Sequence, residues 1–121
     1  MRSIDLTKEE LLSLLLAIRA VESTNGLTSK NELQIMPICI KDVNRIYGTS
    51  YRQSDVWNRV KSEEIAILYL SYWAEQSRKP KTAELYSRIW NGGPDGWKKS
   101  CTLPYWRKVK KQYERLKHGN S

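Results

Sequence analysis

Leu11-Leu12-Ser13-Leu14-Leu15-Leu16-Ala17-Ile18-Arg19-Ala20-Val21-Glu22-Ser23 holds the longest apolar stretch of the chain, and it ends on a carboxylate. Leu11, Leu14, Leu15, Ile18 and Val21 recur at the spacing of one helix face. Just upstream, Thr7 and Glu10 make a Thr-x-x-Glu capping box. A buried helix from about Lys8 to about Glu22 follows. Ser13 and Arg19 interrupt the apolar run, and Asp5, Glu9 and Glu10 stand where a secretory leader carries positive charge, so the segment reads as a helix of the mature chain. Glu22 then lies at the negative pole of the helix dipole with apolar neighbours, and both effects favour its protonated form. A glutamic acid kept neutral near neutral pH suits general-acid chemistry such as glycosidic bond cleavage.

Outward from that helix the pattern stays helical. Asn25-Gly26 predicts a sharp turn within a polar loop from Ser23 to Asn31. Pro37 suits a first helical turn, with Ile38, Ile40, Val43, Ile46 and Tyr47 continuing to Gly48. Ser54 and Asp55 start a short turn through Trp57 and Val60. Ser62 is read as the cap of a long helix ending before Pro80. Its Ile65, Ala66, Ile67, Leu68, Tyr69, Leu70, Tyr72 and Trp73 leave it apolar nearly all round, which predicts a central position. Thr82 caps the next helix, through Leu85, Tyr86 and Ile89, and Asn91-Gly92-Gly93-Pro94 stops it. Thr102 and Pro104 open a last amphipathic helix with Trp106, Val109, Tyr113 and Leu116. With no convincing strand alternation and no repeat, one mainly α domain is expected over residues 1–121.

The chain has 121 residues, 40% of them hydrophobic, which allows one modest core. No apolar run is long enough to span a membrane. Lys and Arg outnumber Asp and Glu by 21 to 13, a formal net charge of +8, so a polyanionic partner is attractive. The excess gathers at Arg78, Lys79 and Lys81, and from Lys98 through Lys117. Two cysteines, Cys39 and Cys101, make no disulfide framework and are expected as buried or partly buried free thiols. The single histidine, His118, lies in a polar tail away from any CxxC spacing, which argues against a metal site and against a His-dependent nucleophilic triad. No metal and no cofactor are expected.

Four segments carry a family resemblance. Val21-Glu22-Ser23 places Glu-Ser at the end of a buried helix. Asn31-Glu32-Leu33-Gln34-Ile35-Met36-Pro37 resembles the Gly-Leu-Met-Gln-Ile-x-Pro segment of lytic transglycosylases. Ile89-Trp90-Asn91-Gly92-Gly93-Pro94 looks like their Ala-Tyr-Asn-Ala-Gly-Pro. Thr102-Leu103-Pro104-Tyr105-Trp106-Arg107-Lys108-Val109 is similar to the closing Thr-x-x-Tyr-Val-x-x-Val. Their order also matches that of the soluble lytic transglycosylase and goose-type lysozyme superfamily, whose members cut the β-1,4 bond between N-acetylmuramic acid and N-acetylglucosamine in peptidoglycan. The resemblance implies a lysozyme-like helical fold with a sugar-binding groove, Glu22 as catalytic acid, and Ser23, Gln34, Trp90, Asn91 and Tyr105 at substrate-binding positions. Amide and hydroxyl groups of this kind can hold a sugar and its acetamido group without adding charge. Of Trp57, Trp73, Trp90, Trp97 and Trp106, most are expected in the core and some against pyranose faces. Asn31 stands at the family's glycine and tolerates positive φ.

Hydrolysis by inversion needs a second carboxylate, for which Glu32, Asp42, Asp55 and Asp95 are candidates. Asp42 could instead pair with Arg45. A lytic transglycosylase needs no second carboxylate, because Glu22 acts as acid and then as base. Transglycosylation is the preferred expectation, lysozyme-type hydrolysis the alternative, and a non-catalytic wall-binding or nucleic-acid-binding module the rival from another class. Against nucleic acid, no helix-turn-helix, zinc or RNA-binding signature is found. The expected partner is the peptidoglycan glycan strand, met by a monomer in the periplasm or outside the cell. The absent leader suggests a phage enzyme released by lysis or carried on a virion.

Overall fold

The computed structural model describes residues 5–23 and 31–118. Within them run five α-helices: α1 Lys8–Ser23, α2 Pro37–Tyr47, α3 Arg59–Ser77, α4 Ala83–Gly92 and α5 Leu103–His118, with short 3-10 turns at Gln53–Trp57, Gly96–Lys98 and Ser100–Thr102. No strand occurs among the described residues, so the protein is mainly α. The Asn25-Gly26 turn lies outside the described residues.

Helix α1 begins at the expected capping box: Thr7 N–H donates to Glu10 Oε1 at 2.9 Å, and Glu10 N–H to Thr7 Oγ1 at 3.1 Å. Its buried stripe is Leu11, Leu14, Leu15, Ala17, Ile18 and Val21, while Leu16 faces outward. Each fully buried aliphatic side chain contributes about 2 kcal/mol of transfer free energy. This stripe packs chiefly on α5 and also touches α4. It meets Val109 and Tyr113 of α5, Leu85 and Ile89 of α4, and Ile65, Ala66 and Leu70 of α3 in one cluster.

Local signals hold for α2 and α4. Pro37 opens α2, and Gly48 closes it at φ 68 with its N–H on the Asn44 carbonyl. The Thr82 side chain accepts from Leu85 N–H, and Gly93 ends α4 at φ 87, ψ −170, a region that only glycine enters readily. Helix α3 departs from expectation twice. Its cap is Asn58, whose side chain accepts from Lys61 N–H. Ser62 lies inside the first turn, buried, its hydroxyl donating back to the Arg59 carbonyl at 2.9 Å. Nor is α3 buried all round: Ile67, Leu68 and Trp73 are half-buried and Val60 is exposed. α3 packs against α2, the Gln53–Trp57 turn and α4. No described helix is long and apolar enough to cross a membrane.

Thr102 does not cap α5 but locks the approach to it. Its hydroxyl sits 2.8 Å from the carbonyls of Gly96 and Lys99 and accepts from Arg88 Nε at 2.8 Å. Cys39 is buried as expected, but Cys101, in the 3-10 turn before α5, is exposed. His118 closes α5 rather than lying in a tail.

Candidate active site

The sequence folds its apolar helix so that Glu22 emerges half-buried in the last turn of α1, where the first turn of α5 crosses it. There the Tyr105 hydroxyl donates to Glu22 Oε2 at 2.8 Å. Burial raises the Glu22 carboxyl above its ordinary value of 4.5, and the Tyr105 hydrogen bond partly offsets that rise. Desolvation wins because it penalises the charged form as a whole, whereas one neutral donor recovers only part of the lost hydration. Burial, then the nearby Glu22 charge, push Tyr105 in turn far up, so its phenol remains a proton donor across the working pH range. Ser23 closes α1, and its side chain lies outside the described residues.

A second group of residues gathers where the turn before α2 meets α4. Asn31 builds this turn: its side-chain amide accepts from Ile35 N–H at 2.9 Å and donates to the Ile35 carbonyl at 2.8 Å. Its backbone carbonyl accepts both the Gln34 N–H and the Gln34 side-chain amide. The left-handed residue here is Gln34, at φ 57, whereas positive φ was expected at Asn31. From α4, Trp90 donates its indole N–H to the Leu33 carbonyl at 3.1 Å and meets the Tyr69 ring edge-on at 5.9 Å. The Trp90 indole thus pins the turn that presents Gln34. Gln34, Trp90 and Asn91 line one cleft of about 200 Å³ with Met36, Ile38, Cys39, Tyr69 and Gly93. Glu22 and Tyr105 are not among the described residues lining that cleft.

The sequence reading missed Met36, Ile38, Cys39 and Tyr69. The first two are large exposed apolar side chains, a signal that only the fold brings out. Burial, then the Asp42 charge, raise the Cys39 thiol to about 12, which leaves it unreactive. Of the five tryptophans, Trp73, Trp90, Trp97 and Trp106 pack half-buried on the core, and Trp57 is exposed.

The candidate second carboxylates are engaged elsewhere. Asp55 accepts from Arg52 N–H at 2.8 Å and braces its own 3-10 turn. Asp42 accepts from Arg45 at 3.2 Å, although its charge is also felt by Tyr69 in the cleft. Asp95 lies 3.7 Å from Lys98. Glu32 is held by Arg19 at 2.6 Å. Arg19, only 7% exposed, also reaches Glu63 of α3 at 3.5 Å. It therefore ties α1, the turn of Asn31 and α3 together one helical turn from Glu22.

Removing the guanidinium by Arg19→Ala strands the carboxylates of Glu32 and Glu63. Breaking a fully buried ion pair costs about 3–5 kcal/mol, but these acids are 46% and 25% exposed. The expected loss is therefore about 2 kcal/mol, a fall in Tm of roughly 8 °C. Thermal unfolding followed by circular dichroism checks it, and a change within about 0.5 kcal/mol, as at an ordinary surface site, contradicts the clamp.

No protein-family model matches the chain. A lysozyme from Magallana gigas is 43% identical to it over 44 residues, which cover 36% of this chain and 32% of that lysozyme. The match thus spans about a third of the length of each protein, and over that stretch the chain is similar to a lysozyme.

Proposed function

We propose that the protein is a peptidoglycan-cleaving muramidase in which Glu22 donates the proton to the glycosidic oxygen. The observation carrying this reading is the half-buried Glu22 at the end of α1, its carboxyl raised by burial and its orientation held by Tyr105. The partial similarity to a lysozyme supports the same chemistry. In this mechanism the protonated carboxyl protonates the leaving oxygen as the C1–O bond breaks, and an oxocarbenium-like transition state develops. The Glu22 carboxylate then accepts the proton of the muramic acid 6-hydroxyl, whose oxygen bonds to C1 and closes a 1,6-anhydro ring. Gln34 and Asn91 place amides at the cleft to hold sugar and acetamido groups, and Trp90 supplies an apolar wall.

Transglycosylation is preferred because Glu32 is held by Arg19 and Asp55 braces its own 3-10 turn, while Asp95 lines a hollow outside the cleft. The hydrolytic reading keeps one candidate: Asp42, whose charge reaches two cleft-lining residues, Cys39 and Tyr69. Mass spectrometry of a peptidoglycan digest separates them. Predominant 1,6-anhydro-muramyl products are expected. Reducing-end products alone would establish hydrolysis, and an undigested wall would rule out the muramidase reading.

A further inference from the structure

Trp97 follows the Asn91 to Asp95 segment and forms the shared wall of two hollows outside the cleft. One, of about 260 Å³, is bounded by Trp73, Gln76, Pro94, Trp97 and Lys98. The other, of about 290 Å³, carries Lys79 against the same ring. The ammonium groups of Lys79 and Lys98 stand 5.3 and 5.6 Å from the Trp97 ring centre. Lys98 is more than half exposed, and its contact with Asp95 is long at 3.7 Å, so its charge remains available to a ligand. The Trp73 ring lines the first hollow, while its indole N–H is buried without an acceptor. Flat aromatic walls, an amide, a carboxylate able to accept a hydroxyl, and one cation in the hollow with a second, Lys79, in the hollow that shares its Trp97 wall suit a pyranose bearing a negative charge better than a neutral or purely apolar ligand.

Position strengthens the argument. The hollow and the cleft share two supports. Tyr69 of the cleft and Trp73 of the hollow lie on α3 at i and i+4, and Gly93 of the cleft is followed directly by Pro94 of the hollow. One helical turn of about 6 Å therefore separates neighbouring walls, a step comparable to one sugar residue. We propose that the hollow between Trp73 and Trp97 is a second carbohydrate site, which takes an acidic amino sugar of the same glycan strand whose neighbouring unit meets the cleft. In naming muramic acid as that sugar, the inference rests on the muramidase reading. Trp97 supplies the apolar contact, Lys98 attracts the lactyl carboxylate, Lys79 in the neighbouring hollow adds to the positive field, and Gln76 and Asp95 engage ring hydroxyls.

The test uses the full chain carrying Glu22→Gln, so that the probe is not cleaved, with ¹⁵N-labelled indoles. A soluble GlcNAc–MurNAc tetrasaccharide with free carboxylates is titrated beside neutral chitotetraose. The acidic tetrasaccharide is expected to shift the Trp97 and Trp73 indole signals as well as that of Trp90. Trp97→Ala and Lys98→Glu should each weaken it about tenfold, the loss of one anchoring contact, with chitotetraose little affected by Lys98→Glu. Lys98→Glu changes an exposed side chain and keeps the test readable if Trp97→Ala unfolds. Shifts confined to Trp90, or unchanged affinity in Lys98→Glu, overturn the second site and leave the muramidase reading standing. Shifts at Trp97 in a chain whose Glu22 form does not cleave the wall support the site and overturn the enzyme.

Discussion

Glu22→Gln is expected to reduce wall lysis at least a hundredfold, consistent with the roughly 10²–10⁴ that general acid catalysis supplies, while raising Tm at neutral pH. The second half of this prediction follows from linkage. Burial holds the folded Glu22 carboxyl above its unfolded value of 4.5, so between the two values the folded state binds the additional proton. Its stabilising contribution is complete below the unfolded value and is lost as pH rises through the folded one. At neutral pH, where the unfolded chain ionises Glu22 freely, the buried carboxyl weighs against the fold, and a neutral isostere that can still accept from Tyr105 relieves it. The Tm difference should shrink as pH falls below 4.5, where both forms are neutral. A turbidity assay on wall suspensions and a pH series of thermal melts read the two halves separately. Retained lysis removes Glu22 from the mechanism, whatever the melts show.

Tyr105→Phe extends the same logic. The Tyr105 hydrogen bond lowers the Glu22 carboxyl against the larger effect of burial, so deleting it should raise that carboxyl further. The alkaline limb of the pH–activity profile should move upward, while kcat falls roughly tenfold to a hundredfold as the acid loses its orientation. A profile that keeps its limb and loses only height would reduce Tyr105 to a packing role.

Much of the helical plan was legible because its signals are local. The Thr7–Glu10 box, Pro37 at the start of α2, Gly48 at its end and Thr82 before α4 each act within a few residues, and all operate as read. Ser62 shows where local reading becomes ambiguous. A buried serine inside a first turn and a serine cap look alike in sequence, and Asn58 captured the cap instead. The candidate site was legible in composition but not in assembly. Glu22 meets Tyr105 across 83 positions, and Trp90 meets the Leu33 carbonyl across 57. No periodicity predicts either pairing; only the resemblance put Glu22 and Tyr105 on one list. The roles of Arg19 and Trp90 were obscured for a related reason. An arginine that interrupts an apolar helix gives no sign of which acids it will reach, and an indole gives no sign of which carbonyl will take its proton.

Gly96→Ala is expected to destabilise the protein by about 3 kcal/mol or more, as overpacking against rigid backbone does, and to lower Tm by roughly 12 °C. Gly96 has no unusual φ, so nothing in its dihedral angles demands glycine. The demand is spatial: a methyl group there would overlap the Arg88 carbonyl oxygen, with the carbonyl carbon at 2.9 Å and Ile89 Cα at 3.3 Å. These are backbone atoms of α4, and a rotamer change cannot move them aside. Gly48 supplies the contrast. Its φ of 68 disfavours a side chain, yet nothing lies within 4 Å of the position, so Gly48→Ala should cost only about 1 kcal/mol. The two substitutions add the same methyl group to the same residue type, and their difference isolates close approach from backbone strain. The consequence also reaches function. Gly96 donates its N–H to the Gly93 carbonyl, and its own carbonyl accepts from Lys99 N–H and the Thr102 hydroxyl. Forcing it away from α4 must displace the segment that joins Asn91, at the end of α4, to Trp97. Lysis by Gly96→Ala, assayed well below its melting temperature, should therefore fall further than its folded fraction does. Activity that tracks the folded fraction alone would show that this segment can move without disturbing the site.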